Sequence, residues 1–192
     1  MTSVIRSMII MTRFFDFLIA VFFLVATLPL CALIFVLGLM DTGSPIFKQV
    51  RLGKSEKHFL LLKFRTMKLN SPSVASHLAS SSDVTNLGKF LRKTKLDELP
   101  QLINVLKGEM SLVGPRPNLP NQRELIVERR RVGVYDVLPG ITGLAQISGV
   151  DMSTPSVLAK KDLEGIKNRS LRMYFLILRK TFFGKGLGDA IS

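Results

Sequence analysis

The sequence predicts an α+β fold: a mostly helical domain carrying a small β-hairpin, preceded by an N-terminal re-entrant membrane helix broken at Pro29. Three observations predict it. From Phe17 to Met40 no side chain is charged, a run of about 24 residues and long enough to span a bilayer as a helix. Two strand-like stretches, Ser44-Pro45 through Val50 and His58 to Phe64, flank the turn-like Gly53-Lys54-Ser55-Glu56-Lys57, as in a hairpin. Beyond them, apolar residues recur at helical spacing in several segments. The expected division is residues 1–41 as the membrane-inserted segment and 42–192 as a cytosolic domain, a length suited to one compact unit.

Pro29 stands mid-run, where it removes a helical hydrogen bond and crowds the preceding turn. Thr27 places a hydroxyl two residues earlier, able to satisfy a freed carbonyl. Arg6 and Arg13 precede the run, and Lys48, Arg51, Lys54 and Lys57 follow it. A crossing helix concentrates Lys and Arg on one flank. Basic flanks on both sides favour both ends on one membrane face, although a proline-kinked spanning helix has the same length. A cleavable signal fits poorly: its apolar stretch is about 7–15 residues before a small-residue site, and this run ends Gly38-Leu39-Met40-Asp41.

After the hairpin, Asn70 to Ser82 is rich in Ser and poor in large apolar residues, and is expected as a mobile surface loop. Thr85 is placed to cap a short helix carrying Leu87, Phe90 and Leu91. Leu99, Leu102, Ile103 and Leu106 fall at i, i+3, i+4 and i+7 and give a second helix one buried stripe. Pro100 is tolerated in its first turn and Gly108 ends it. Asn121 with Glu124 resembles a capping box for a helix through Arg131. Thr154-Pro155 opens a helix to about Lys167. Ser170 to Phe183 mixes Leu171, Tyr174, Phe175, Leu178 and Phe182 with Arg172, Arg179 and Lys180. It is an amphipathic helix, and the same period suits an interfacial helix on a membrane or one that closes a core.

Lys and Arg number 27 against 14 Asp and Glu, a net charge of +13. Such an excess suits a polyanion: nucleic acid, an anionic membrane surface or phosphorylated substrates. Nucleic acid is disfavoured, because there are two Tyr and no Trp, and the cations are spread along the chain. A hydrophobic content of 47% and a mean hydropathy of +0.30 are high for a wholly soluble protein. Cys31 is the one cysteine, so no disulfide framework exists. His58 and His77 lack metal-ligand spacing. Gly184-Lys185-Gly186-Leu187-Gly188 lacks the Ser or Thr after Lys that a P-loop requires.

The densest chemical cluster is Arg92-Lys93-Thr94-Lys95-Leu96-Asp97-Glu98-Leu99-Pro100. Two carboxylates stand at a predicted helix start directly after cations, which favours an ionised Asp97, as a nucleophile or metal ligand requires. The same N–H groups and cations suit substrate phosphates. Ordinary helix capping accounts for an Asp-Glu pair equally well. In Gly114-Pro115-Arg116-Pro117 two prolines fix the backbone around one arginine, a rigid mount for a phosphate-binding guanidinium or simply a stiff turn. Pro139-Gly140-Ile141-Thr142-Gly143 is a tight turn that lets backbone approach a ligand. Arg129-Arg130-Arg131 ends a helix, where it complements the dipole or meets lipid head groups.

Five ordered segments carry a family resemblance: Phe47-Lys48-Gln49-Val50-Arg51-Leu52-Gly53, Lys63-Phe64-Arg65-Thr66-Met67, Leu96 through Gly108, Met110 through Pro117, and Pro139 through Gln146. Together they resemble the successive signatures of the bacterial sugar transferases, the monotopic phosphoglycosyl transferases, over nearly the whole chain. The resemblance implies a membrane helix broken at Thr27 and Pro29, and an Asp-Glu dyad at Asp97 and Glu98. In such a scheme Asp97 attacks the β-phosphate of a UDP-sugar, UMP leaves, and undecaprenyl phosphate takes the phospho-sugar from the aspartyl intermediate. Mg²⁺ is implied near Asp97 and Glu98, with Glu98 serving the metal or a proton. Arg92 and Arg116 match family arginines implied at the phosphates and the nucleotide, and Pro115, Gln146, Lys63 and Arg65 fall in the matched motifs as further implied substrate-binding positions. The implied partners are a UDP-sugar, undecaprenyl phosphate and membrane lipids, without nucleic acid, and a homodimer is among the oligomeric states allowed. The implied place is the cytoplasmic face of a bacterial inner membrane, at the first membrane step of a surface glycan. Relatives often carry Gly-Arg-Asn where this chain has Gly149-Val150-Asp151, which implies altered contacts to the sugar or phosphate. A diphosphate hydrolase and a non-catalytic nucleotide-sensing scaffold are the competing readings.

Overall fold

A computed structural model of the chain describes residues 3–71 and 81–184. It is α+β, and two helices lead. α1 (Ser3–Ala26) and α2 (Leu28–Thr42) meet at Thr27, where the axis turns by 62°. Pro29 lies in the first turn of α2, where a missing N–H removes no bond from the new helix. The carbonyl it leaves without a helical donor is that of Val25, four residues back. The Thr27 hydroxyl instead donates to Phe23 O at 2.6 Å, beside the Thr27 N–H on the same oxygen. Thr27 therefore reinforces the bend rather than replacing the bond lost at Pro29. Among the described residues no single helix is long and apolar enough to cross a membrane, whereas the bent pair together is.

Both helices are packed onto the domain along one face. Phe15, Ile19, Ala20 and Leu24 of α1 join Leu61, Leu102, Val105, Met110, Leu112 and Tyr174 in the main core. Ile34 and Cys31 of α2 pack on Phe64 and Leu91. The other face leaves Phe14, Phe17, Phe22, Val25, Leu28 and Met40 exposed, an apolar surface far too continuous for water.

β1 (Ile46–Leu52) and β2 (His58–Phe64) form the expected antiparallel hairpin, in register from Ile46 opposite Phe64 to Leu52 opposite His58. The connecting turn holds Ser55 and Glu56 at φ 55° and 58°. Of the loop expected over Asn70–Ser82, residues 72–80 lie outside the described residues, as do His77 and residues 185–192. α3 (Asn86–Thr94) begins as expected, with Thr85 Oγ1 accepting from Gly88 N at 2.9 Å.

The next element departs from expectation. Lys95 adopts a left-handed conformation (φ 58°) and ends α3, so Leu96–Glu98 forms a separate 3₁₀ turn. α4 is only Gln101–Leu106. Its stripe is shorter than the spacing implied, because Ile103 faces solvent while Leu102 and Val105 are buried. Gly108, at φ +82°, closes it.

β3 (Ser111–Val113) pairs in parallel with β4 (Gly140–Thr142). α5 (Arg123–Arg131) starts at Gln122 without a side-chain cap, so the expected Asn121–Glu124 capping box does not form. Gln122 folds back instead, its Oε1 accepting from Leu119 N at 2.8 Å. The short α6 (Leu144–Ile147) leads to α7 (Pro155–Lys167) and α8 (Leu171–Phe182), which begin where Thr154-Pro155 and Ser170 place them. α8 both closes the core and faces outward. Tyr174 and Ile177 are buried, whereas Phe175 and Phe182 are exposed. Phe175 stacks edge-on against Phe15 of α1 at 5.2 Å, so the outward faces of α8 and α1 adjoin.

Candidate active site

The carboxylates at 97 and 98 are displayed by a chain reversal. A non-glycine residue in the left-handed region costs about 1–2 kcal/mol, and Lys95 occupies it directly before the dyad. The reversal swings Leu96-Asp97-Glu98 away from the axis of α3 and back towards β2. The helix-start reading is thereby corrected. The N–H groups of Glu98 and Leu99 donate within the turn, to Lys95 O and Leu96 O at 3.2 Å each. Those of Leu102 and Ile103 donate to Leu99 O and Pro100 O at 3.1 Å each. These four amides are already bonded within the chain.

The cations beside the dyad come from two elements. Lys63, near the end of β2, sets its Nζ 3.1 Å from Glu98 Oε1 and 3.9 Å from Asp97 Oδ2. Arg116 sets Nη2 3.1 Å from the same Glu98 oxygen. Asp97 is only 3% exposed, whereas the Arg116 side chain reaches the surface. Two carboxylates and two cations therefore share one desolvated patch, where charge interactions are far stronger than in water. Glu98 is the ionic bridge, and Asp97 is held beside it.

Arg92 leaves the last turn of α3 and donates from Nε to Thr66 Oγ1 at 2.8 Å. That contact requires close approach at Gly88, where a Cβ would stand 2.1 Å from Thr66 O. Arg92 is thus anchored to the segment that follows β2. Pro115 fixes the backbone before Arg116, and its carbonyl accepts from Gly140 N at 2.9 Å.

Two further expected site residues make contacts within the scaffold. Arg65 donates to Ser44 O at 2.8 Å and lies over the Phe47 ring at 5.4 Å, tying the end of β2 to the exit of α2. Gln146 is buried, and its Nε2 donates to Ile141 O at 3.1 Å, which braces β4. In the Pro139–Gly143 segment the backbone approaches Gly114 closely: a Cβ on Gly140 would stand 2.1 Å from Gly114 N. Asp151, at the position where relatives often differ, accepts from Ser153 N at 2.9 Å in an exposed turn.

Arg129, expected to complement the helix dipole or to meet lipid head groups, is instead fully buried and bonded to Asp162, Arg116 O and Asn118. Its neighbours Arg130 and Arg131 stay at the surface, paired with Glu56 and Glu128. Burial pushes the Asp162 carboxyl up from its ordinary range, and the Arg129 guanidinium pulls against that shift. Three consecutive arginines look alike in a sequence; only the packing of α5 on α7 selects which one turns inward.

For a divalent metal the donor chemistry fits in a limited way. Among the described residues no group of three or more His, Cys, Asp or Glu could hold a metal. Mg²⁺ commonly takes one or two carboxylates and completes its octahedron with phosphate oxygens and water. Asp97 and Glu98 can supply that number, with a diphosphate supplying the rest.

The described residues thus place an acidic pair and two cations in one patch of an α+β domain that carries a bent apolar helix pair. Residues 7–185 match the bacterial sugar transferase family, and the chain belongs to it. By that membership it is a phosphoglycosyl transferase. It is 38% identical over 183 residues to the uncharacterized sugar transferase EpsL of Bacillus subtilis (strain 168), covering 93% of this chain and 90% of that protein. It is 38% identical over 186 residues to the UDP-glucose:undecaprenyl-phosphate glucose-1-phosphate transferase of Escherichia coli (strain K12), covering 88% of this chain and 40% of that protein. Against the undecaprenyl-phosphate galactose phosphotransferase of Salmonella typhimurium (strain LT2) the identity is 35% over 194 residues, covering 92% and 40%. The chain thus spans about two fifths of the length of these two relatives.

Proposed function

We propose that this chain moves a phospho-sugar from a UDP-sugar to undecaprenyl phosphate through an intermediate on Asp97, releasing UMP. The observation that carries the reading is the buried Asp97–Glu98 pair with Lys63 and Arg116 converging on it. An Asp97 oxygen attacks the β-phosphorus, and the bond from that phosphorus to the bridging oxygen breaks. The bridging oxygen and its electron pair leave on UMP. A phosphate oxygen of the lipid then attacks the same phosphorus, and the Asp97 O–P bond breaks. The carboxylate is restored and undecaprenyl-diphosphate-sugar is formed.

Lys63 and Arg116 neutralise the charge that develops on the diphosphate. Because Asp97 is 3% exposed, substrate entry makes the cover over it yield. The pairs from Glu98 to Lys63 and Arg116 are the contacts that exchange a carboxylate oxygen for phosphate oxygens. Mg²⁺, held by Asp97 and Glu98, would supply further charge neutralisation at the diphosphate. Arg92 approaches from α3 as a further phosphate contact.

The exposed faces of α1 and α2 insert into the bilayer and return at the 62° bend, with α8 lying at the interface beside them. Both flanks then sit on the cytoplasmic face of the inner membrane, at the depth of the lipid phosphate. The product is the first lipid-linked intermediate of a surface glycan.

Purified chain, undecaprenyl phosphate and a panel of UDP-glucose, UDP-galactose and UDP-N-acetylgalactosamine test the chemistry. UMP should turn over only when the lipid is present, with no more than one equivalent per chain released without it, and Asp97→Asn should lower the turnover rate roughly ten-thousand-fold. UMP formed at full rate without lipid identifies a hydrolase instead. Topology is tested with single cysteines at Ser3 and Ser44 in a Cys31→Ser background. Both should label from the cytoplasmic side only, and Pro29→Ala should straighten the pair and carry one site across the membrane. Opposite-side labelling in the chain with Pro29 intact would rule out the re-entrant arrangement.

A further inference from the structure

We infer that Arg129, held by Asp162, is a positioning residue that sets where the Arg116 guanidinium stands beside Glu98; the inference rests on the transferase reading above. Pro115 and Pro117 have no N–H, so this segment cannot hold itself with its own donors at those positions. Its three carbonyls are gripped from outside. Pro115 O accepts from Gly140 N at 2.9 Å, Arg116 O from Arg129 Nη1 at 2.8 Å, and Pro117 O from Arg51 Nη1 at 3.1 Å. Of the three, only the bond from Arg129 falls on the carbonyl of Arg116 itself.

Arg129 is built for this task and for little else. It is 1% exposed, on α5. Its Nε and Nη2 donate to Asp162 Oδ2 of α7 at 3.0 and 2.7 Å. Nη1 divides between Arg116 O and Asn118 Oδ1, at 2.8 and 3.0 Å. The Tyr135 hydroxyl donates to the same Asn118 oxygen at 3.0 Å, which fixes that acceptor in turn. The planar fork spans a carboxylate on one edge and a backbone carbonyl on the other, which a lysine ammonium cannot do. Burying such a pair is a poor route to stability, since apolar side chains of similar volume often serve as well or better. Its geometric product is the fixed carbonyl next to a substrate cation. A cation whose backbone cannot drift is preorganised for the charge it meets in the transition state.

The test is a double-mutant cycle between Arg116→Ala and Arg129→Lys, with Asp162→Asn as an independent perturbation. The readouts are kcat for lipid-dependent UMP release from radiolabelled UDP-sugar and thermal melting by circular dichroism. With Arg116 present, Arg129→Lys should lower kcat roughly 10- to 100-fold, the scale expected when a positioned group is displaced slightly. With Arg116→Ala in place, the same change should cost less than about 3-fold more, because the group it acts through is gone. The melting shift should be equal in both backgrounds, and Asp162→Asn should repeat the pattern more weakly. Equal fold-losses in both backgrounds overturn the positioning role and leave the transferase reading intact. Failure of both Arg129→Lys and Asp162→Asn to give folded protein overturns it too, by assigning the pair to the fold alone. Full activity in Arg116→Ala overturns both the positioning role and the reading of Arg116 at the diphosphate.

Discussion

The charged cluster where α1 meets the domain and the one around Asp97 are wired differently. Where α1 meets the domain, Asp16 accepts from Leu112 N and from the Tyr174 hydroxyl, both at 2.9 Å. Arg13 donates to Met110 O at 2.9 Å and to Val105 O, and Arg169 reaches Thr12 Oγ1 at 3.1 Å. Charge there is met largely by backbone atoms, which have no rotamers to change. Around Asp97 the ion pairs run from side chain to side chain, with one Glu98 oxygen shared by Lys63 and Arg116. Either cation can turn to a phosphate without disturbing a strand or helix. Charge bonded to backbone stabilises the join between α1 and the domain; charge bonded to mobile charge remains available for chemistry.

That contrast is broken or sharpened by exchanging damage between the clusters. The largest effect is expected from Asp97→Asn, with activity lost roughly ten-thousand-fold and the melting temperature little changed. Asp16→Ala should do the reverse. It strands the Leu112 amide and the Tyr174 hydroxyl in the core and removes the carboxylate 3.8 Å from Arg13, a loss of about 3 kcal/mol. Melting should fall by about 6–12 °C for a chain of this size, while kcat per folded molecule stays within about 2-fold. Unfolding of Asp97→Asn, or an inactive but fully folded Asp16→Ala, would erase the distinction between the two clusters.

The sequence made one cluster legible and hid the other. Asp97 and Glu98 stood out because charged residues gather around them within a few positions, and Lys63 and Arg116 lay in ordered motifs. The elements also read well wherever local chemistry decides them: Thr85 and Ser170 cap helices with their own side chains, and Pro155 opens α7. Expectation failed where distant packing decides. Lys95 has no local reason to turn left-handed, so the 3₁₀ turn that presents the dyad looked like the start of α4. Arg129 resembled its two exposed neighbours until α7 brought Asp162 to it. Asp16 sat one residue before the uncharged run, with partners 96 and 158 positions away in sequence. Arg65 and Gln146 lay in motifs beside site residues, yet their side chains brace the scaffold.

The smallest expected effect lies inside the backbone-bonded cluster and depends on pH. Tyr174 is 2% exposed and donates to Asp16. Burial, then the nearby Asp16 charge, pushes its phenol well above the ordinary value of 10.0, with Arg169 and Arg13 acting weakly in the other direction. A folded-state value above the unfolded one means that the phenol's stabilisation is fully present below about pH 10. It is lost as pH rises further, because unfolding then releases a proton that the folded chain retains. Tyr174→Phe keeps the ring packed on Phe175 and removes one hydrogen bond, a cost of about 1 kcal/mol at pH 7. The variant has no phenol to titrate, so its stability should fall less steeply above pH 10 and the gap between the two proteins should close. Urea unfolding at pH 7, 9 and 10.5 on detergent-solubilised protein reads this directly. A gap that stays constant through pH 10.5 would show that the Tyr174 proton is not held against the Asp16 carboxylate, and that this join depends on packing rather than on charge.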